Sequence, residues 1–98
     1  MKPILFSGKA RKDLAEIRIY TESLWSRQQA IRYRDLLIDE CFSIPDKEQI
    51  ISYPTYNDFF YTHCGQHYIF FKSTTREIRI VRILHESMHF IKHLGSPA

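Results

Sequence analysis

Glycine, proline and cysteine are scarce in this 98-residue chain, at three, four and two. Three scattered glycines exclude a phosphate-cradling loop of the P-loop or dinucleotide-binding kind, which needs several at close spacing. Two cysteines, Cys41 and Cys64, allow one disulfide by count but cannot staple a small secreted scaffold, so free thiols are expected. Long apolar runs are also missing, and no membrane span is expected. Only Ile4, Leu5 and Phe6 stand between Met1-Lys2-Pro3 and Ser7, too few for a signal peptide, and a cytoplasmic location is the expectation. Neither sign of charge dominates: 14 Lys and Arg against 11 Asp and Glu leave a net charge of +3. That falls short of the concentrated positive field of a dedicated nucleic-acid binder, and an acidic protein partner explains it equally well.

What is present is apolar periodicity. Residues 4–6 form a short β-prone run ending at Ser7-Gly8. Across residues 9–25, Ala10, Leu14, Ile17, Tyr20 and Leu24 recur at spacings of three and four. Lys12, Asp13, Glu16 and Arg18 then fall mostly on the remaining surface, which makes an amphipathic helix. Ser26-Arg27-Gln28-Gln29 matches an S-x-x-Q capping box, so a second helix is expected to start at Ser26, with Trp25 stapling against Ala30. Its stripe runs through Ala30, Tyr33, Leu37, Cys41 and Ile44 until Pro45 stops it.

Beyond an unreadable stretch at residues 46–54, residues 58–64 read as a strand. The run QHYIFFKSTTREIRIVRILH at residues 66–85 reads as a hairpin of two more. The first of these is apolar on consecutive residues, as a strand buried on both faces would be. The second alternates at Ile78, Arg79 and Ile80 and shifts phase at Val81, meaning a bulge or a covered second face. Met88, Ile91 and Leu94 lie at helical spacing before the stop signals Gly95 and Pro97, predicting a short C-terminal helix over residues 86–94. The expected fold class is α+β, ordered β-α-α-β-β-β. A helix hairpin lies on a mostly antiparallel sheet in a single domain spanning residues 1–98.

Four constellations could carry chemistry. His85-Glu86-Ser87-Met88-His89 matches H-E-x-x-H, with His93 a possible third ligand, but a zinc site needs both histidines on one helix face. His85 continues a strand instead, so no metal and no cofactor is expected. Lys72, Arg76, Arg79 and Arg82 make a basic set suited to carboxylates or phosphates, or simply a solvated strand face. Tyr53, Tyr56, Phe59, Phe60, Tyr61, Tyr68, Phe70 and Phe71 could stack bases, although a small sheet needs such residues for its core; Tyr53 and Tyr56 are expected to be the exposed ones. Cys64 lies between His63 and His67, yet strand neighbours point to opposite faces and leave His63 badly placed to activate it.

The order of these motifs resembles the ParE family of toxins. The resemblance is carried by Arg82-Ile83-Leu84-His85, Met88 and His93-Leu94, by His67-Tyr68-Ile69-Phe70-Phe71, by Ala10, Asp13-Leu14, Ile17 and Tyr20, and by Trp25, Gln29-Ala30 and Tyr33. It covers residues 3–44 and 66–94. It implies the toxin of a type II toxin-antitoxin pair that binds and poisons DNA gyrase without a reaction of its own. It also implies silencing by a ParD-like antitoxin whose disordered segment folds over the groove between helices and sheet. Contact positions are expected at Lys72, Arg76, Arg79, Arg82, His85, Met88 and His89, and no sequence-specific nucleic-acid contact is expected.

The superfamily also contains RelE ribonucleases, which need a proton acceptor, a donor and cations on the phosphate. Residues 58–64 carry no Lys or Arg where those enzymes keep basic residues. Arg79, Arg82, His85 and His89 would have to serve, which leaves a ribosome-dependent endoribonuclease as the alternative. Residues 46–58 lack the proline and glycine spacing common in the family, and His89 stands where aspartate is usual. A partner-binding homologue without toxicity is therefore a third possibility.

Overall fold

The computed structural model describes residues 2–46, 53–88 and 90–94. Strand β1 (Ile4–Phe6) leads into α1 (Gly8–Leu24) and α2 (Arg27–Ser43), and a 3-10 turn follows at Ile44–Asp46. Then come β2 (Thr55–Tyr56), β3 (Phe59–Cys64), β4 (His67–Ser73), β5 (Ile78–His85) and α3 (Phe90–Leu94). The sheet order is β1-β5-β4-β3-β2, antiparallel except where β1 runs parallel to β5. The α+β class and the hairpin of helices on a mostly antiparallel sheet are as expected, with β2 added.

Ser7 fixes how the helices meet the sheet. Its hydroxyl accepts from the Ala10 backbone N–H at 3.0 Å, capping α1, and donates to the Val81 carbonyl at 2.7 Å. Its own N–H reaches the Ile80 carbonyl at 2.9 Å. A capping residue thus doubles as the weld between α1 and β5. Val81 is the extra residue of a bulge, because Phe70 pairs with Arg82 while the next residue, Phe71, pairs with Ile80. The second face is covered too: Phe70 and Leu84 are fully buried, with the Phe90 ring of α3 centred 5.0 Å from Phe70. Both explanations of the phase shift therefore hold, since the bulge lets Ile80 and Ile83 face the helices with two residues between them.

On the helix side the core joins Ala10 of α1, Leu37 and Cys41 of α2, Ile44, and Ile69, Phe71, Ile78, Ile80 and Ile83 of the sheet. The α2 stripe packs as its spacing predicts. Ser26 caps α2 by accepting from the Gln29 N–H at 3.1 Å, and α2 ends two residues before Pro45. Corrections fall on α1. Asp13, assigned to the surface, is only 7% exposed, whereas Tyr20 and Leu24, assigned to the stripe, are 64% and 56% exposed. A charged partner on β5 draws Asp13 inward and turns the Tyr20 and Leu24 edge of the helix outward. Trp25, expected to staple against Ala30, closes α1 with an unusual backbone (φ −124°, ψ −103°) and is 59% exposed, while Ala30 is buried.

Strand β2 escaped notice because its hairpin turn is Asn57-Asp58. Both residues have positive φ (50° and 66°), the geometry of a two-residue type I′ turn that asparagine and aspartate tolerate. Tyr53 and Tyr56, expected to be exposed, are partly buried instead, edge-on to Phe71 at 5.3 Å and to Phe90 at 5.9 Å. The short strand brings them down onto rings already in place. The C-terminal helix begins at Phe90, later than expected, because residues 86–88 form a turn. The stop signals Gly95 and Pro97 lie outside the described residues.

Candidate functional site

Strand β1 pairs only with Ile78–Ile80, leaving the second half of β5 as a sheet edge beside α1. An unpaired edge invites another strand, and here a carboxylate blocks it. Asp13 accepts from the Ile83 backbone N–H at 3.0 Å and from the Arg82 guanidinium at 2.8 and 2.9 Å. The pair is well shielded, and hydrogen bonding to Asp13 pushes the Arg82 pKa above its ordinary value. Arg82 also donates to Nδ1 of His93 at 3.5 Å, so it reaches round the edge from α1 to α3.

Above this edge lies an apolar groove of about 670 Å3, walled by Tyr20, Leu24 and Trp25 on one side and by Ile83 and Met88 on the other. Exposed apolar side chains lining one concavity are the physical mark of a docking surface. Its floor carries His67 and His85, whose rings sit 5.2 Å apart and nearly perpendicular. The Tyr33 hydroxyl accepts from the Gln66 N–H at 2.9 Å and lies 2.6 Å from His67 Nδ1. Burial lowers the His67 pKa to about 4, helped by the neighbouring charge of His85. His85 Nδ1 accepts from the Ser87 N–H at 3.1 Å and contacts the Ser87 hydroxyl at 2.7 Å.

The expected contact residues divide. His85 and Met88 line the groove. Lys72, Arg76 and Arg79 stand exposed at the far end of the β4–β5 hairpin: Lys72 Nζ lies 4.8 Å above the Phe59 ring and Arg79 pairs with Glu77 at 3.0 Å. Arg82 is not a free contact residue, because Asp13 holds it. His89 lies outside the described residues. Arg79 and His85 sit near opposite ends of the eight-residue β5. At about 3.3 Å per residue, roughly 20 Å separates them, so they share no reaction centre.

The H-E-x-x-H match is not a helical motif. His85 ends β5, and Glu86 turns away to meet His63 at 3.0 Å. Among the described residues no three potential ligands cluster as a metal would require. Burial raises the pKa of Cys64 and pushes that of Cys41 up to about 12, and both thiols are free, so neither is an activated nucleophile. Phe70 and Phe71 are fully buried, as core aromatics are. The groove itself is only half visible in the sequence: Tyr20 and Leu24 belong to the apolar stripe of α1 and Trp25 is expected as a staple, none of them as a groove wall.

The family model described as "ParE toxin of type II toxin-antitoxin system, parDE" matches residues 4–90. The chain belongs to the ParE toxin family. It is similar to Toxin ParE1 of Caulobacter vibrioides (strain ATCC 19089 / CIP 103742 / CB 15), at 36% identity over 101 residues covering 97% of this chain and 100% of that one. It also shares a fold with a solved chain of the chromosomal ParDE TA system from P. aeruginosa. There the TM-score is 0.76 at 16% identity, over 87% of this chain and 96% of the other. The match includes residues 45–65, which lie between the two stretches that carry the resemblance. No helix among the described residues is long and apolar enough to cross a membrane.

Proposed function

We propose that this ParE toxin arrests growth by binding DNA gyrase in the cytoplasm, catalysing no reaction itself, and that a ParD-like antitoxin silences it by docking in the groove between α1 and β5. The observation that carries this reading is the groove: Tyr20, Leu24, Trp25 and Met88 are exposed large apolar side chains gathered along one concavity. A solvated monomer has no use for such a strip, whereas an amphipathic segment that folds on binding does.

The spread of the cations supports the absence of catalysis. A ribonuclease would need Arg79, Arg82 and His85 around one phosphate; Arg79 is engaged with Glu77, Arg82 with Asp13 and His85 with Ser87. Strand β3 supplies no Lys or Arg. The test is a purified gyrase reaction with this chain added, scored for trapped DNA breaks, beside a ribosome-bound mRNA cleavage assay. Trapped breaks without cleaved message are expected. Message cut at the ribosomal A site by nuclease-free material would overturn the reading.

A further inference from the structure

The two imidazoles in the groove floor each bond a neighbour through Nδ1. A backbone N–H can only donate, so Nδ1 of His85, which receives the Ser87 N–H at 3.1 Å, carries no hydrogen in the neutral ring. Its hydrogen is on Nε2. For His67, the Tyr33 oxygen already accepts from the Gln66 N–H, and its own hydrogen finds an acceptor in His67 Nδ1 at 2.6 Å. A phenol oxygen can also accept a second bond, so the Tyr33 pairing alone allows either tautomer of His67; the one in which the Gln66 N–H and the Tyr33 hydroxyl both find an acceptor puts the ring hydrogen on Nε2, making it a donor as well. With Nδ1 of each ring engaged in a hydrogen bond and the hydrogen on Nε2, neither ring offers a free lone pair to a metal.

Neither Nε2–H has a partner among the described residues. His67 is 8% exposed and lines the groove. A donor this far from bulk water calls for an acceptor from whatever fills the groove. With the ring centroids 5.2 Å apart, one carboxylate, whose two oxygens can each accept, is small enough to bridge the two rings. The nearby acids do not compete for the site: Asp13 is held by Arg82, Glu16 faces Lys12 at 4.0 Å, and Glu86 meets His63. The chain's net charge of +3 also favours an acidic partner.

We propose that His67 and His85 form a two-donor site that receives an aspartate or glutamate side chain of the antitoxin segment. This rests on the docking reading of the groove. The carboxylate sets the register of that segment, while Leu24, Trp25 and Met88 take its apolar side chains.

The direct probe is 4-phenylbutyrate, compared with the neutral 4-phenylbutyramide, titrated into the full chain labelled with 15N-histidine. The carboxylate is expected to shift both Nε2 resonances and to bind about tenfold more tightly than the amide, in keeping with a charge-assisted bond. His85→Phe, which keeps a ring in place, and Tyr33→Phe, which frees the His67 tautomer, should each erase that preference. Equal binding of acid and amide, binding of neither, or a preference surviving in His85→Phe would overturn the proposal. Failure of the docking reading shows differently: the antitoxin would then co-purify undiminished with Leu24→Arg.

Discussion

Arg82 and Asp13 lie 69 positions apart in sequence and are joined by two charge-assisted bonds of 2.8 and 2.9 Å, in a pocket where the two side chains are 14% and 9% exposed. The same carboxylate satisfies the Ile83 N–H. Removing either partner strands a charge and, for Asp13, a backbone donor.

Asp13→Ala and Arg82→Ala should each destabilise the chain by about 3 kcal/mol, the usual cost of breaking a shielded pair from one side. Arg82→Lys should recover only part of that, because an ammonium cannot hold both oxygens at once. Urea denaturation measures this. Losses within 0.5 kcal/mol would mean that the pair is solvated. Loss of growth arrest in an Arg82 variant would therefore report folding before it reported a toxic surface.

His67 gives the pH dependence. Its folded pKa of about 4 lies below the ordinary 6.5, through burial first, then the charge of His85, opposed by Glu86 and Asp13, with a smaller lowering from His63. The unfolded chain then binds more protons between those values. The contribution is thus complete above pH 6.5 and drains away as pH falls towards 4. Allowing for solvent reaching the ring from the groove, roughly 2 kcal/mol should be lost between pH 7.5 and pH 4. His67→Gln should flatten that slope in urea melts, and a slope unchanged by the substitution would assign it to other groups.

Most of the elements are legible in the sequence, because period and punctuation agree there. Ser26 before an apolar stripe, Pro45 at its end and the paired β runs of residues 67–85 each rest on local chemistry. The α1 face was misread for a non-local reason. Nothing near Asp13 announces that Arg82 and the Ile83 N–H will meet it. Once Asp13 is drawn in, Tyr20, Leu24 and Trp25 become the wall of a groove. The groove wall is hidden for the same reason, since Tyr20 and Leu24 are spaced like a core stripe and only the rotation of one helix exposes them. Strand β2 was missed through unrecognised turn chemistry at Asn57-Asp58.

Gly65 is a position where glycine is required. Its φ is +60°, and a Cβ there would stand 2.6 Å from the Tyr33 hydroxyl oxygen. Gly65→Ala should cost roughly 2 to 4 kcal/mol, from the left-handed backbone and from displacing Tyr33 off His67. In a Tyr33→Phe background the second contribution shrinks, so a double-mutant cycle should give a coupling of about 1 kcal/mol. Additive losses would locate the cost in the backbone and in the ring carbons Cε1 and Cζ, which phenylalanine keeps and which a Cβ would approach to 2.7 and 3.0 Å.

The groove wall separates docking from folding. Leu24 and Trp25 are 56% and 59% exposed, so Leu24→Arg and Trp25→Ala remove little buried surface and should change stability by no more than about 0.5 kcal/mol. If the groove is where an antitoxin folds, the same changes act on the centre of an interface, where losing an apolar or aromatic anchor costs about 2 kcal/mol or more. Co-purification of antitoxin with the toxin should then fall sharply for both variants, while urea melts of the isolated chains stay superimposable. Growth arrest should return under co-expression, because the silencing partner no longer holds. Unchanged co-purification alongside unchanged stability would move the antitoxin to another face, with the exposed hairpin end at Lys72, Arg76 and Arg79 next in line.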